Sequence, residues 1–184
     1  MENNFAIVGG DERIIHLAKM LTNDKNNVYT YGLEKASNIQ NCSSLEETVK
    51  NAKIIISSIP FSKDGINIYA PFSKNEIPIK ELISHTENKV FFAGSIPSSY
   101  IGENIIDLME QEDLTILNTI ATAEGTIKEI ISNTDSILHN SKVLIIGFGR
   151  VAKVLARKLA GLDAKVTCSA RKDKDFAWIN SLRL

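Results

Sequence analysis

The stretch that most narrows the fold is residues 142–152, Lys-Val-Leu-Ile-Ile-Gly-Phe-Gly-Arg-Val-Ala, where an apolar run meets a Gly-x-Gly-x-x-Ala string and then an amphipathic segment. An apolar strand, a glycine turn and a helix in that order form the first half of a βαβ unit. In such a string Gly147 permits the tight turn, Gly149 lets a pyrophosphate approach the backbone, and the small Ala152 lets the helix pack closely on the strand. The helix start then supplies free N–H groups and the positive end of a dipole. Gly147, Phe148, Gly149, Arg150 and Val151 are therefore the candidate contacts for a dinucleotide. The plainer alternative is an ordinary βαβ turn with no ligand. After the next strand, residues 165–169, the chain reads Ser169-Ala-Arg171-Lys172, with no carboxylate before Asp173. A site for NAD carries an acid about 20 residues past the glycines, for the ribose 2′-hydroxyl. A hydroxyl and two cations suit a 2′-phosphate instead, so Ser169, Arg171 and Lys172 point to NADP. A solvated basic pair is the alternative there.

Upstream, short Ile- and Val-rich runs alternate with amphipathic stretches, the pattern of a parallel sheet covered by helices. The spacing predicts strands at 5–8, 28–31, 54–59, 89–93 and 114–117, and helices at 11–22, 46–51 and 101–109. Pro60, Pro71 and Pro78 break residues 61–86 into mostly irregular chain. A longer helix is predicted over 123–139, with Thr122 as its N-cap and Glu124 in its first turn, followed by a strand at 142–146 and a helix at 151–160. The expected organisation is an amino-terminal α/β domain over 1–120, a linking helix over 121–140, and the first βαβ of a dinucleotide-binding domain over 141–184. The fold class is α/β: a flavodoxin-like or Rossmann-like parallel sheet, then the opening of a second Rossmann domain. A full domain of that second kind takes roughly 130–150 residues, so it is expected to be truncated.

Composition closes off other classes. With 21 basic and 22 acidic side chains among 184 residues, the net charge of -1 gives no footprint for nucleic acid. The apolar runs are far shorter than the about 20 residues that cross a bilayer, and no charged leader precedes the first of them. Cys42 and Cys168, with His16, His85 and His139, form no metal-ligand spacing, so the expected setting is a reduced, metal-free cytoplasm. Neither cysteine has a basic activator nearby, and Trp178, Phe176 and Ile179 read as packing residues.

A second strand-to-helix turn, Gly9-Gly10-Asp11-Glu12-Arg13, lacks the spacing of the dinucleotide string. Its amides could hold a substrate carboxylate with Arg13 as counter-ion; equally, Asp11 could be an N-cap and Arg13 an exposed first-turn residue. Residues 57–60, 93–95 and 119–126 also fall at the carboxyl ends of predicted strands, the edge where open α/β sheets bind ligands.

Three segments together resemble the family of the dipicolinate synthase A-subunit, within the broader layout of the D-2-hydroxyacid dehydrogenases. They are 6–13 (Ala-Ile-Val-Gly-Gly-Asp-Glu-Arg), 123–127 (Ala-Glu-Gly-Thr-Ile), and 143–150 (Val-Leu-Ile-Ile-Gly-Phe-Gly-Arg) with Ser169-Ala-Arg171 beyond it. The chain departs from that family in having Ala121 where proline is usual, and in the loop 58–65. The resemblance implies oxidation of a dihydrodipicolinate-type ring in spore formation, with a hydride passing to NADP. It implies that Gly9, Gly10, Asp11 and Arg13, with Thr122, Glu124, Gly125 and Thr126, face a cleft between domains. Arg13 and the helix start after Thr122 would meet the carboxylates, and Glu124 would be the proton acceptor or a helix-start residue. The implied partners are a small dicarboxylate substrate and the flavoprotein-like B-subunit of dipicolinate synthase, in the cytoplasm of the mother cell, with self-association left open. Two alternatives stay open: a non-catalytic nucleotide-binding or assembly fragment, and a 2-hydroxyacid or alanine-dehydrogenase-like enzyme.

Overall fold

The computed structural model describes residues 3–182 and divides into two compact units, one ending at Gln111 and the other beginning at Glu112. In the first unit the elements run β1 (Asn4–Val8), α1 (Glu12–Asn23), β2 (Asn27–Tyr31), α2 (Leu45–Lys50), β3 (Ile54–Ser57), α3 (Ile79–Ser84), β4 (Val90–Ala93) and β5 (Ile105–Asp107). Every strand pairing is parallel, in the order β2-β1-β3-β4-β5. Such a sheet is buried on both faces, and the alternation of its side chains shows it. Ala6, Val8, Ile55 and Phe91 pack with Leu45 and Val49 of α2 and with Ile79 and Leu82 of α3. Ile7 and Ile56 point the other way, to Ile14, Ile15 and Ala18 of α1. Full burial of each large side chain contributes roughly 1.5–3 kcal/mol.

Local chemistry sets the helix starts. The Asp11 carboxylate accepts the Arg13 backbone N–H at 3.0 Å, and the Ser44 hydroxyl accepts that of Glu47 at 3.1 Å. Each satisfies an amide that the first turn leaves without an intrahelical partner. Residues 61–86 are less irregular than their prolines suggest. Ile68 N–H donates to the Ile77 carbonyl and Ile79 N–H to that of Ile66, which folds the segment back on itself before α3.

Two expectations fail near the end of this unit. Residues 101–109 are no helix: Ile105 and Ile106 join the sheet as β5, because β4 offers them a parallel edge, and short 3-10 turns flank them at Ser98–Tyr100 and Leu108–Glu110. Residues 114–117 are no strand but lie in the first two turns of α4 (Glu112–Ser132), which opens the second unit. That helix begins eleven residues before the predicted start at 123 and ends seven before 139.

The second unit continues with β6 (Lys142–Ile146), α5 (Arg150–Gly161), β7 (Lys165–Ser169) and α6 (Asp173–Ser181). β6 and β7 form a two-stranded parallel sheet, with Lys142 opposite Lys165 and Ile146 opposite Ser169, as expected of a βαβ unit. Ala123, Ile145, Phe148, Leu155, Ala156, Leu159 and Ile179 make its core, with Ile127, Ala152 and Val166 against it. Ile179 packs as expected, whereas Phe176 and Trp178 are exposed, because α6 presents only one face to that core. No helix among the described residues is long and apolar enough to cross a membrane, and no group of His, Cys, Asp and Glu among them could hold a metal ion.

Candidate functional site

The glycine turn of the second unit lies at the carboxyl end of β6. Gly147 has φ +94°, a conformation that L side chains rarely adopt, so the turn demands glycine there. Its N–H donates to the Ser169 carbonyl at 3.1 Å and to the Ser169 hydroxyl at 3.2 Å, which ties the end of β7 to the turn. Phe148 turns inward, 5% exposed, and anchors the loop in the core, so its ring is a packing group and only its backbone faces the turn.

Gly149 is the N-cap of α5 with extended backbone, φ −79° and ψ −169°, and no side chain caps the helix. The hydrogen-bonding of α5 opens with Lys153 N–H to the Gly149 carbonyl at 3.0 Å, so the amides of Arg150, Val151 and Ala152 precede it without an intrahelical acceptor. A Cβ built on Gly147 or Gly149 would meet no atom within 4 Å. Close packing of the protein on itself therefore does not account for glycine at 149. Open space, unpaired amides and the positive end of a 12-residue helix are what a pyrophosphate needs. The residues present fit the diphosphate of a dinucleotide.

The side chains around the turn fall into two sets. Arg150 is already engaged: its guanidinium donates to both carboxylate oxygens of Glu112, the first residue of α4. Arg171 and Lys172 are exposed between β7 and α6, and neither lies within 4.0 Å of a carboxylate among the described residues. Asp173, the first carboxylate after β7, sits in the first turn of α6, where it meets that helix's dipole. Cys168 lies within β7, and burial pushes its thiol up, which makes it a poor nucleophile.

The turn of the first unit is built differently. The Gly9 N–H donates to the Tyr31 carbonyl at 2.9 Å and the Gly10 N–H to that of Tyr69 at 3.0 Å. Both amides are satisfied by backbone carbonyls, so neither of these two is free for a carboxylate. A Cβ on Gly9 would touch Ala70 and Ile68 at 3.0 Å, and one on Gly10 would overlap Ile14 at 2.5 Å. The covering segment, residues 68–70, belongs to the stretch whose prolines masked its order. Asp11 is the N-cap of α1, and its side chain also binds the Arg13 guanidinium at 2.8 Å, while Arg13 donates to the Ile59 carbonyl as well. The Arg13 hydrogen bond holds the Asp11 carboxyl below its ordinary range, and Asp11 in turn raises Arg13. Arg13 keeps 63% of its side chain exposed, so it is the group of this turn still able to meet an anion.

Other edge positions are also taken up by the fold. The Ser57 hydroxyl donates to the Val8 carbonyl at 2.7 Å, and a Cβ on Gly94 would overlap Ile59 at 2.8 Å. Thr122, Glu124, Gly125 and Thr126 lie inside α4, so no helix start follows Thr122; its hydroxyl donates to the Asn118 carbonyl, and that of Thr126 to the Thr122 carbonyl, each at 2.9 Å. Glu124 accepts a 2.7 Å hydrogen bond from Lys158 of α5, which with Glu112–Arg150 makes two ion pairs between these helices. The acidic pair Glu112 and Asp113 marked the true helix start in the sequence.

Residues 4–120 match the family described as the N-terminal domain of the dipicolinate synthase A-subunit. Over an alignment of 193 positions the chain is 30% identical to the dipicolinate synthase A-subunit of Bacillus subtilis (strain 168), covering 97% of this chain and 64% of that protein. Among solved structures, the A-subunit of dipicolinate synthase from Bacillus subtilis superposes with a TM-score of 0.74 and 27% identity over 100% of this chain and 66% of that one. Its counterpart from Bacillus halodurans superposes with a TM-score of 0.78 and 26% identity over 99% and 66%. The chain thus spans just under two thirds of the length of these relatives.

Proposed function

This chain belongs to the family of the dipicolinate synthase A-subunit, and on that premise we propose that it serves an oxidoreductase that converts a dihydrodipicolinate-type ring to dipicolinate with NADP. The observation that carries the reading is the open turn at Gly147–Gly149, whose unpaired amides and free space lie at the start of α5. When bound, the nicotinamide accepts a hydride, and aromatisation of the ring supplies driving force; the protein's part is to bind, orient and neutralise.

In this reading the amides of Arg150 and Val151 hold the diphosphate. Ser169, Arg171 and Lys172 take the 2′-phosphate, which is favoured because no carboxylate among the described residues lies within 4.0 Å of either cation. Arg13, oriented by Asp11 and the Ile59 carbonyl, meets one carboxylate of the substrate. Gly9, Gly10 and Asp11 shape that turn, and Thr122, Gly125 and Thr126 line the substrate side of α4. Glu124, held by the Lys158 ammonium at 2.7 Å, takes the proton released by the ring. A flavoprotein-like B-subunit and a place in the mother-cell cytoplasm during sporulation complete the proposal.

The test is titration of the 184-residue chain with NADPH and with NADH, followed by nucleotide fluorescence. Saturable binding that favours NADPH supports the reading, and equal, weak response to both removes the assignment of Arg171 and Lys172. A second reading, an assembly module, is favoured by one observation: Leu144 and Ile146 of β6 are 63% and 85% exposed. Binding of neither nucleotide would leave that reading standing.

A further inference from the structure

A groove on the first unit gathers cations that the proposed reaction does not use. α1 lays Glu12, Ile15, His16 and Lys19 along one side, at the spacing that puts residues on one helix face, and the stretch after β2 brings Lys35 and Ser37 to the other, beside Phe72. The space is about 360 Å³. Its second wall is held in place by the backbone. Lys35 N–H donates to the Phe72 carbonyl at 2.9 Å, and the two Glu34 oxygens accept the N–H groups of Gly32 and Lys74, both at 3.1 Å. The loop after β2 and residues 72–74 are thereby joined into one surface.

Ile15 is buried in the apolar cluster under α1, and Phe72 packs against the same cluster, so the groove has an apolar floor. Glu12, His16, Lys19 and Lys35, which also line it, are exposed. Among the described residues, neither lysine nor His16 lies within 4.0 Å of a carboxylate, and Glu12, the one acid lining the groove, pairs with neither lysine. Two cations against one anion leave the groove positive before His16 is counted.

We propose that this groove binds a small planar dianion of the aromatic dicarboxylate class, its ring on Ile15 and Phe72 and its two acidic groups on Lys19 and Lys35. An apolar floor with cations entering from two elements selects for a flat body carrying two charges over a compact inorganic anion. The site stands on its own geometry and not on the dinucleotide reading. If that reading also holds, the product is a ligand of this class, and the groove gives the protein a means of sensing it.

The experiment is calorimetry on the 184-residue chain with pyridine-2,6-dicarboxylate, and separately with inorganic phosphate. The dicarboxylate is expected to bind at least about fivefold more tightly than phosphate, and Lys19→Ala with Lys35→Ala to weaken it about tenfold or more, as loss of two charge contacts requires. Lys80→Ala, which removes a charge on α3 outside the groove, is expected to leave this binding in place. Amide shifts on titration should cluster at His16, Lys19 and Lys35. Absence of binding, equal affinity for phosphate, or a double variant that binds as well as the parent would each overturn the proposal. Loss of binding in Arg13→Ala alone would move the ligand to the Arg13 turn and overturn it too.

Discussion

The chain carries two strand–glycine turn–helix units, and the structure uses their glycines for opposite purposes. At Gly9–Gly10 the turn is closed: both amides are spent on backbone carbonyls, and any added Cβ would press on Ile68, Ala70 or Ile14. At Gly147–Gly149 the turn is open: the helix amides beyond it have no partner among the described residues, and an added Cβ would meet nothing within 4 Å. The first pair of glycines is explained by the protein's own packing. Of the second pair, Gly147 is explained by its positive φ, whereas neither a positive φ nor a packing contact explains Gly149. The two units differ in surface as well. Among the described residues, four large hydrophobic side chains are exposed in the first (Met20, Ile66, Val90 and Ile101), whereas the second, although shorter, exposes eleven, among them Leu117, Ile137 and Ile146.

The contrast can be broken most forcefully at Gly10. Gly10→Ala combines a positive φ with a 2.5 Å overlap on Ile14, and should cost about 2–4 kcal/mol by urea denaturation. Gly147→Ala carries the backbone strain alone, and should cost about 1–2 kcal/mol. Equal losses would erase the distinction between a packed turn and an open one. Next in size, Arg171→Ala with Lys172→Ala should lower affinity for NADPH at least about tenfold and leave that for NADH nearly unchanged. A parallel loss for both nucleotides would mean that the two cations supply only general attraction.

The same comparison explains what could be read in advance. Both βαβ units were legible because their strands are short Ile- and Val-rich runs bounded by glycines, and their helices carry one apolar face. What distinguishes the two turns was not legible. Closure of the Gly9 turn depends on Tyr69 and Ala70, about sixty residues away in a segment broken by prolines, and no local pattern announces that contact. Residues 114–117 misled because Leu-Thr-Ile-Leu is too short a run to separate strand from helix by periodicity, although Glu112 and Asp113 ahead of it favour a helix start. Residues 101–109 misled in the other direction. Their helical spacing lost to the unpaired edge of β4, and Asp107 then secured β5 by accepting the N–H groups of Ser95, Ile96 and Met109. Among the candidate site residues, the cluster at 122–126 reads as a helix start only from a helix beginning at 123, whereas α4 begins at Glu112.

Smaller effects sharpen the comparison of surfaces and turns. Leu144→Lys with Ile146→Lys should change stability by no more than about 0.5 kcal/mol each, since both side chains already face solvent, and on the assembly reading should reduce association measured by light scattering. A large loss of stability would show that this face is covered. At the Gly9–Arg13 turn, the Asp11 carboxyl is held below its ordinary range by the Arg13 hydrogen bond. A group lowered on folding stabilises above its unfolded pKa and loses that contribution as pH falls through its folded value. The stability gap between the parent chain and Asp11→Asn should therefore be full near neutrality and shrink below about pH 4. A gap that persists in acid would assign Asp11's effect to helix capping without the charge.

The most direct measurement is NADPH affinity and unfolding free energy in Gly149→Ser. Serine is a good N-cap and position 149 has extended backbone with free space around it, so stability should stay level or rise by a few tenths of a kcal/mol. Its side chain would nevertheless stand where the diphosphate approaches, and affinity should fall about a hundredfold relative to the parent chain. A serine variant that binds NADPH as the parent does, or a parent chain that binds none, would contradict the account.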